Sequence, residues 1–276
     1  MRPLQPIDVI HLFPEERAAL LALLESLSPD DWRRPTVCAG WSVQDLAAHV
    51  LGDDLGSVAR GRDGYSDSWI DASSFDALVA AINELNEAWV RAMRRLSPQL
   101  LCEMLRFSGE RVFAYFASLD LAATGGPVDW AGPGPAPVWL DVAREYTERW
   151  AHQQQIRDAL ARPGLTDRRL FAPVIDAYVR ALPHTFRDTP APDATHVRVD
   201  ITGHAGGAWS LLREGGRWSL YAGDDAPAAA RVTLDQDTAW RLFTKGITPA
   251  AARPEARLEG DPALAEQVLQ TVSVLA

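Results

Sequence analysis

The pattern of apolar residues changes its period near residue 190, and this change constrains the fold more than any other feature. Before it, apolar side chains recur at helical spacing, as in Leu78 and Ile82. Past a proline-containing linker, residues 196–201 alternate strictly between apolar and polar, which is typical of a half-buried strand. We therefore expect an α+β protein, with an all-helical domain over residues 1–165 and a small α+β domain over 166–276.

Short sequence motifs indicate where individual helices, turns and loops lie within these two domains. Ser42 caps a helix with Asp45 in a capping-box position, and Gly215-Gly216 is a two-residue hairpin signal. The segment 125–137, rich in Gly and Pro, is expected to be a loop. We predict helices over residues 13–27, 42–60, 75–96, 99–119, 137–160, 171–182, 237–245 and 262–275, and strands over 196–201, 208–214, 217–221, 230–234 and 255–258.

Composition and charge exclude several classes of function. The formal net charge is −10, which argues against nucleic acids and anionic membranes as partners. No apolar run approaches the roughly 20 residues that a membrane-spanning helix needs, and the N-terminus lacks a signal-peptide core. Cys38 and Cys102 are the only cysteines, too few for a disulfide scaffold. We therefore expect a cytoplasmic protein, a monomer or homodimer, that acts on small molecules.

Three residues of the helical half have the chemistry and spacing of metal ligands. His49 lies in the predicted helix after Ser42, and Glu148 and His152 lie in a much later helix. Four-residue spacing places Glu148 and His152 one turn apart on the same side of that helix. Two imidazoles and one carboxylate suit a borderline divalent ion, first of all Zn²⁺, and three protein ligands leave a coordination position open for chemistry.

The residues alone leave other roles open. Glu148 and Glu145 both have arginine partners at four-residue spacing, as is usual on a solvated acidic helix. Glu145 is the reserve ligand if Glu148 points outward. Asp53, one turn after His49, either orients that imidazole or is an ordinary solvated residue. Cys38 is a candidate nucleophile or, more simply, a buried structural cysteine.

The motif around His49 resembles a known family. Residues 27–32 (LSPDDW), the segment 38–42 (CAGWS) and the hydrophobic helix that ends in His49 are similar to the opening of the mycothiol-dependent maleylpyruvate isomerase family. That family belongs to the DinB-like four-helix-bundle metalloenzymes. Residues 148–152 match its later Glu-xxx-His motif, and residues 258–264 match its C-terminal signature. The resemblance thus spans nearly the whole chain.

The resemblance implies a DinB-like four-helix bundle followed by a small, sterol-carrier-like α+β domain. It implies that His49, Glu148 and His152 hold a divalent metal, most simply Zn²⁺. Mycothiol, or a similar low-molecular-weight thiol, would be the cofactor. Members close to the isomerase use an arginine of the C-terminal domain near the substrate, and Arg241 and Lys245 are the candidates for this catalytic role.

The chain departs from the family pattern at one position, and the resemblance as a whole implies a function. The family often carries an Asp three residues after the second His, where this chain has Gln155, whose neutral amide brings no negative charge. The implied activity is isomerisation of, or S-transfer to, a small electrophile by a thiol that loses its proton beside the metal. Two alternatives fit the same residues: a metal-dependent hydrolase of amide or ester bonds, and a non-catalytic protein that binds a small ligand.

Overall fold

The computed structural model describes residues 1–65, 74–223 and 226–274, without the side chains of Phe75 and Asp76. The chain forms two compact units. A helical unit contains Val9–Asp120 and Glu148–Leu165, and a sheet unit contains Met1–Asp8, Leu121–Thr147 and Thr166–Leu275. Helices and a mixed sheet in one chain confirm the α+β class. The domain boundary at residue 165 stays a prediction.

Long helices surround the core of the helical unit. Apolar side chains of these helices form one buried cluster, in which Leu20, Leu46, Leu105 and Ile156 are all fully inaccessible to solvent. The helices are α1 (Phe13–Glu25), α2 (Val43–Ser57), α3 (Phe75–Met93), α4 (Pro98–Ala117) and, from Glu148 onward, α5 (Val138–Ala159). Among the described residues, none of the helices is both long enough and apolar enough to cross a membrane.

The start of α2 follows directly from its sequence. The Ser42 Oγ accepts a hydrogen bond from the backbone N–H of Asp45, and the Asp45 carboxylate accepts one from the N–H of Ser42. This capping box satisfies two backbone donors that the first helical turn cannot satisfy itself. Arg94 at the end of α3 also pairs with Asp45, at 2.9 Å. The N-terminus of α2 is therefore fixed to a neighbouring helix as well as capped.

The sheet unit is built around one six-stranded sheet in the order β1-β6-β5-β4-β7-β8. Neighbouring strands are antiparallel except for β4 and β7, which are parallel. The strands are β1 (Arg2–Pro3), β2 (Thr124–Pro127), β3 (Pro135–Pro137), β4 (His196–Thr202), β5 (Gly207–Glu214), β6 (Arg217–Ala222), β7 (Ala230–Asp235) and β8 (Arg257–Gly260). The helices of this unit are α6 (Arg168–Val179), α7 (Leu182–Thr185), α8 (Gln236–Phe243), α9 (Pro249–Ala252) and α10 (Pro262–Val268).

Strand alternation and turn chemistry explain the centre of this sheet. Val197, Val199 and Ile201 of β4 point to its buried face, as the alternating pattern predicts. Gly215 and Gly216 join β5 to β6 with φ angles of 54° and 77°. Only glycine adopts two consecutive left-handed conformations without strain, which is why this dipeptide marks the hairpin.

Two predictions for individual elements were wrong. The segment 125–137, expected to be a loop, contributes a separate antiparallel pair of short strands, β2 and β3. Prolines at the strand ends conceal this pair in the sequence, because proline donates no ladder hydrogen bond and normally argues against a strand. The closing helix expected over 262–275 already ends at Val268, and residues 275–276 lie outside the described part of the chain.

Candidate metal centre

His49 lies in the middle of α2 with only 7% of its surface exposed. Its ring makes an edge-on contact with the ring of His152 on α5, at 4.7 Å between centroids. Burial lowers the pKa of His49 to about 4, and the charges of His152 and Arg149 act in the same direction. The imidazole is therefore neutral at neutral pH, which is the form that ligates metals.

His152 is oriented by a hydrogen bond from its own helix. Its Nδ1–H donates to Oε1 of Gln155 at 2.9 Å. The proton on Nδ1 leaves Nε2 with a free lone pair, so Nε2 is the atom able to bind a metal. Gln155 thus holds the ring in the way that a carboxylate holds a metal-bound histidine in other sites, but without the charge.

Two carboxylates lie beside the imidazoles, each one helical turn from a histidine. The Asp53 Oδ2 is 3.4 Å from Nε2 of His49. The Glu148 Oε2 is 3.8 Å from Nε2 of His152. One donor atom each from His49, Asp53 and His152 lie within 4.8 Å of one another. We call these three residues the donor cluster.

The donor cluster has the ligand types of a zinc site, and its donor atoms lie within 4.8 Å of one another. With metal–ligand bonds of about 2.0–2.1 Å, donor atoms around one tetrahedral ion are separated by about 3.4 Å. The separation of His49 from Asp53 equals this spacing, and that of His152 from Glu148 is slightly longer. Neutral imidazoles and carboxylates are also the ligands that Zn²⁺ takes in open sites. The residues present therefore fit a divalent ion.

Two further candidates from the sequence, Glu145 and Cys38, each have a hydrogen-bond partner in the structure. Glu145, the reserve ligand, is buried and its Oε1 accepts a hydrogen bond from Arg144 at 2.5 Å. The half-buried Cys38 thiol donates to Oε1 of Gln155 at 3.5 Å, on the same oxygen that holds His152. Burial raises the pKa of Cys38, so it remains a thiol at neutral pH and is a weak nucleophile there.

Arg241 and Lys245 lie in the sheet unit, at the C-terminal end of α8. The guanidinium of Arg241 stacks on the ring of Trp240, 4.5 Å from its centroid, and Nε donates to Asp237 at 2.9 Å. Lys245 is exposed and has a φ of 60°, in the left-handed region that follows many helix ends. Their catalytic role stays a prediction.

Sequence reasoning missed two features of this region. It treated Asp53 as either an orienting group or an ordinary solvated residue, whereas its carboxylate belongs to the donor cluster. The four-residue spacing from His49 was the available signal. It also assigned no contact to Trp41, whose ring packs 5.1 Å from that of His49 and whose indole N–H donates to Glu87 at 2.9 Å. No local pattern in the sequence indicates this last pairing.

Comparison with known protein families identifies the class to which this architecture belongs. Residues 13–157 match the family model described as the mycothiol maleylpyruvate isomerase N-terminal domain. This match covers more than half of the chain, and the chain belongs to that family. No curated protein sequence matches the chain closely enough to count as a relative.

Solved structures show the same fold. The crystal structure of the mycothiol-dependent maleylpyruvate isomerase aligns with a TM-score of 0.53 and 11% sequence identity, over 88% of this chain and 91% of that chain. A histidine-to-alanine mutant of that isomerase aligns with a TM-score of 0.51, at 11% identity and over the same shares of both chains. The fold implied by the sequence resemblance is thereby confirmed.

Family membership and fold together place the chain among enzymes of the isomerase and S-transferase type. They favour this class over the hydrolase and over the non-catalytic ligand-binding protein.

Proposed function

We propose that this protein is a metal-dependent enzyme that uses mycothiol, or a similar low-molecular-weight thiol, to isomerise a small unsaturated acid or to transfer sulfur to a related electrophile. The observation that carries the proposal is the convergence of His49 and His152 from two helices, with carboxylates beside both rings. Membership of a family named for mycothiol and maleylpyruvate supplies the thiol and the substrate class.

In this proposal His49 and His152 hold the ion through Nε2, and one carboxylate completes the site. Glu148 is the ligand that the family resemblance implies, and Asp53 is the carboxylate of the donor cluster. Matched amide variants distinguish the two. Replacing the ligating carboxylate, in Glu148→Gln or Asp53→Asn, removes charge as well as a ligand and should lower Zn²⁺ affinity by more than the 10–100-fold typical of an outer-shell change. Replacing the carboxylate that is not a ligand should lower Zn²⁺ affinity by no more than about 10–100-fold.

A bound divalent ion would supply positive charge that favours the deprotonated form of an incoming thiol. The protein's own contribution is to keep the His49 imidazole neutral by burial and to fix the His152 ring through Gln155. The thiolate forms a C–S bond to one carbon of a double bond conjugated to a carbonyl, whose oxygen takes up the displaced electron pair, and the former double bond then rotates as a single bond. Return of that pair breaks the C–S bond, restores the double bond and releases the thiolate, so no oxidant or reductant is consumed.

Arg241 and Lys245 complete the proposal as the cations that bind the substrate's carboxylates. An arginine fork binds a carboxylate through two parallel hydrogen bonds, whereas a lysine acts as a single point charge. Replacing the true partner, in Arg241→Gln or Lys245→Gln, should therefore raise KM for an acidic substrate. It should leave metal content unchanged.

Turnover assays with and without thiol test this function. Metal-loaded protein should isomerise maleylpyruvate, or consume an electrophile such as a haloarene, only when mycothiol or a surrogate thiol is present. His49→Ala should lose this activity. Thiol-independent hydrolysis of esters or amides by the loaded protein would instead support the hydrolase and contradict the proposal.

A further inference from the structure

Asp54 is the most deeply buried charged residue near the donor cluster, with no exposed surface. Both of its carboxylate oxygens are occupied. Arg17 of α1 donates to Oδ2 at 2.7 Å, and the hydroxyl of Ser108 of α4 donates to the same oxygen at 2.6 Å. Arg149 of α5 donates to Oδ1 from Nε at 3.0 Å, and its Nη2 lies 2.9 Å from that oxygen. Three helices therefore converge on one carboxylate of α2.

The Asp54–Arg149 ion pair lies between α2 and α5, next to the candidate metal ligands in the sequence of both helices. Asp54 directly follows Asp53, and Arg149 directly follows Glu148. The ion pair thus joins the same two helices that carry the histidines, and each of its members lies one residue after a carboxylate that is a candidate metal ligand. Consecutive helical residues differ by about 1.5 Å in height and about 100° in direction. Any shift of α5 along α2 that separated His49 from His152 would break the Asp54–Arg149 pair as well.

We infer that Asp54 and Arg149 are positioning residues that set the register of α2 against α5 and so bring the metal ligands together. The inference rests on the metal site of the proposed function. Neither residue touches the metal or the substrate in this account. A metal site requires ligand distances close to their ideal values, and a buried ion pair between α2 and α5 fixes the register on which those distances depend.

Stability alone is a poor explanation for the pair. Desolvation of two buried charges offsets most of their attraction, and apolar replacements of buried ion pairs are often neutral or stabilising. Fixing a unique register is the best-attested use of such groups. The Arg17–Asp54 contact provides an internal comparison, because it joins the same carboxylate to α1, where no candidate ligand lies.

Matched variants of the two arginines test the inference. Arg149→Met and Arg17→Met each remove one guanidinium from Asp54 and leave the other in place. Their Zn²⁺ affinity is measured by competition with a chromogenic chelator, their coordination geometry by the visible spectrum of Co²⁺, and their folding by thermal unfolding of the metal-free protein. Arg149→Met should weaken Zn²⁺ binding by about 10–100-fold and alter the Co²⁺ spectrum. Arg17→Met should lower the unfolding temperature but keep the wild-type spectrum and nearly wild-type affinity.

A second pair of variants, with lysine in place of each arginine, keeps the test decisive if a methionine variant does not fold. Arg149→Lys and Arg17→Lys retain the charge but replace the planar guanidinium with a compact ammonium of different reach and geometry. Arg149→Lys should still weaken Zn²⁺ binding more than Arg17→Lys does. Equal losses of affinity in both members of a pair, or an unchanged Co²⁺ spectrum in both Arg149 variants, would overturn the inference. If wild-type protein binds neither Zn²⁺ nor Co²⁺, the proposed function itself fails, which is a different result.

Discussion

Gln155 shows at the residue scale how one amide can organise a site without adding charge. Its Oε1 accepts hydrogen bonds from Nδ1 of His152 and from the Cys38 thiol. The first bond fixes the tautomer that leaves Nε2 available for a metal. The absence of a formal charge distinguishes this arrangement from the Asp that the family often carries at this position.

The first prediction concerns this amide. Gln155→Leu removes the acceptor, frees the His152 ring to rotate, and should weaken Zn²⁺ binding by about 10–100-fold in a chelator competition assay. Gln155→Glu keeps an acceptor and adds charge, so its affinity should equal or exceed that of the wild type. Cys38→Ser is the control, because it perturbs the same oxygen from the other side without touching the ring. If Gln155→Leu binds Zn²⁺ as tightly as the wild type, the orienting role is wrong.

The sequence indicated candidate ligands but not their partners across the helices. The rings of His49 and His152 lie in contact, and their role as metal ligands stays a prediction. Helical spacing could not decide between Glu148 and Asp53, because each lies one turn from a histidine and the choice depends on the facing helix. The Asp54–Arg149 pair was not foreseen, since Arg149 had a sufficient local partner at Glu145 in the sequence.

At the scale of elements, α2 depends most visibly on its N-terminal cap. Ser42 and Asp45 satisfy each other's backbone donors, and Asp45 also holds Arg94. The second prediction is that Ser42→Ala lowers the free energy of unfolding by about 1 kcal/mol, because one N–H of the first turn loses its partner. Urea unfolding of the metal-free protein measures this change.

Ser118→Ala is the matched control for the cap. Ser118 is an exposed serine at the C-terminal end of α4 whose hydroxyl donates to the carbonyl of Tyr115, so it caps no backbone donor. Its replacement should change the free energy of unfolding by less than about 0.5 kcal/mol. Equal effects of the two substitutions would show that the capping box contributes nothing specific.

Elements with a strong local signal were predictable, and those that depend on distant partners were not. The capping box, the helical spacing and the Gly215-Gly216 turn all act within a few residues, and the corresponding elements are confirmed. Strand β1, at Arg2–Pro3, exists only because it pairs with β6. The π-helical turn at Val58–Arg62, which follows α2 directly, likewise has no sequence signature.

At the scale of the whole molecule, Glu16 couples the stability of the fold to pH. It is buried in the helical unit, where Nε2 of Gln153 donates to its Oε1 at 2.7 Å. Burial raises the pKa of Glu16 above its ordinary value, against the opposing effect of Arg17. The folded protein therefore holds this proton more tightly than the unfolded chain does. The resulting stabilisation is complete below the unfolded pKa of about 4.3 and is lost as pH rises through the folded pKa.

The third prediction follows from the raised pKa of Glu16. Glu16→Gln mimics the protonated side chain and should remove this loss, so the variant gains stability over the wild type as pH rises above about 4.3. The gain is about 1.4 kcal/mol for each unit by which the pKa is raised. Urea unfolding across a pH series measures it. A Glu16→Gln curve parallel to that of the wild type would contradict the prediction.

The global arrangement was only partly predictable. The change of hydrophobic period indicated helices followed by a mixed sheet, and this is what the chain forms. The order of the strands, and the parallel pairing of β4 with β7 between otherwise antiparallel neighbours, has no counterpart in local sequence. Strand order depends on which long-range contacts bury most apolar surface, and residues distant in sequence determine it together.

The central claim is that His49 and His152 share a metal ion, and metal content tests it most directly. Elemental analysis of purified wild-type protein should find about one equivalent of a divalent metal, consistent with a single three-ligand site. His49→Ala should be folded by circular dichroism and contain almost none. Wild-type protein that contains no metal and binds none at micromolar concentration, or a His49→Ala variant that retains its full equivalent, would contradict the account.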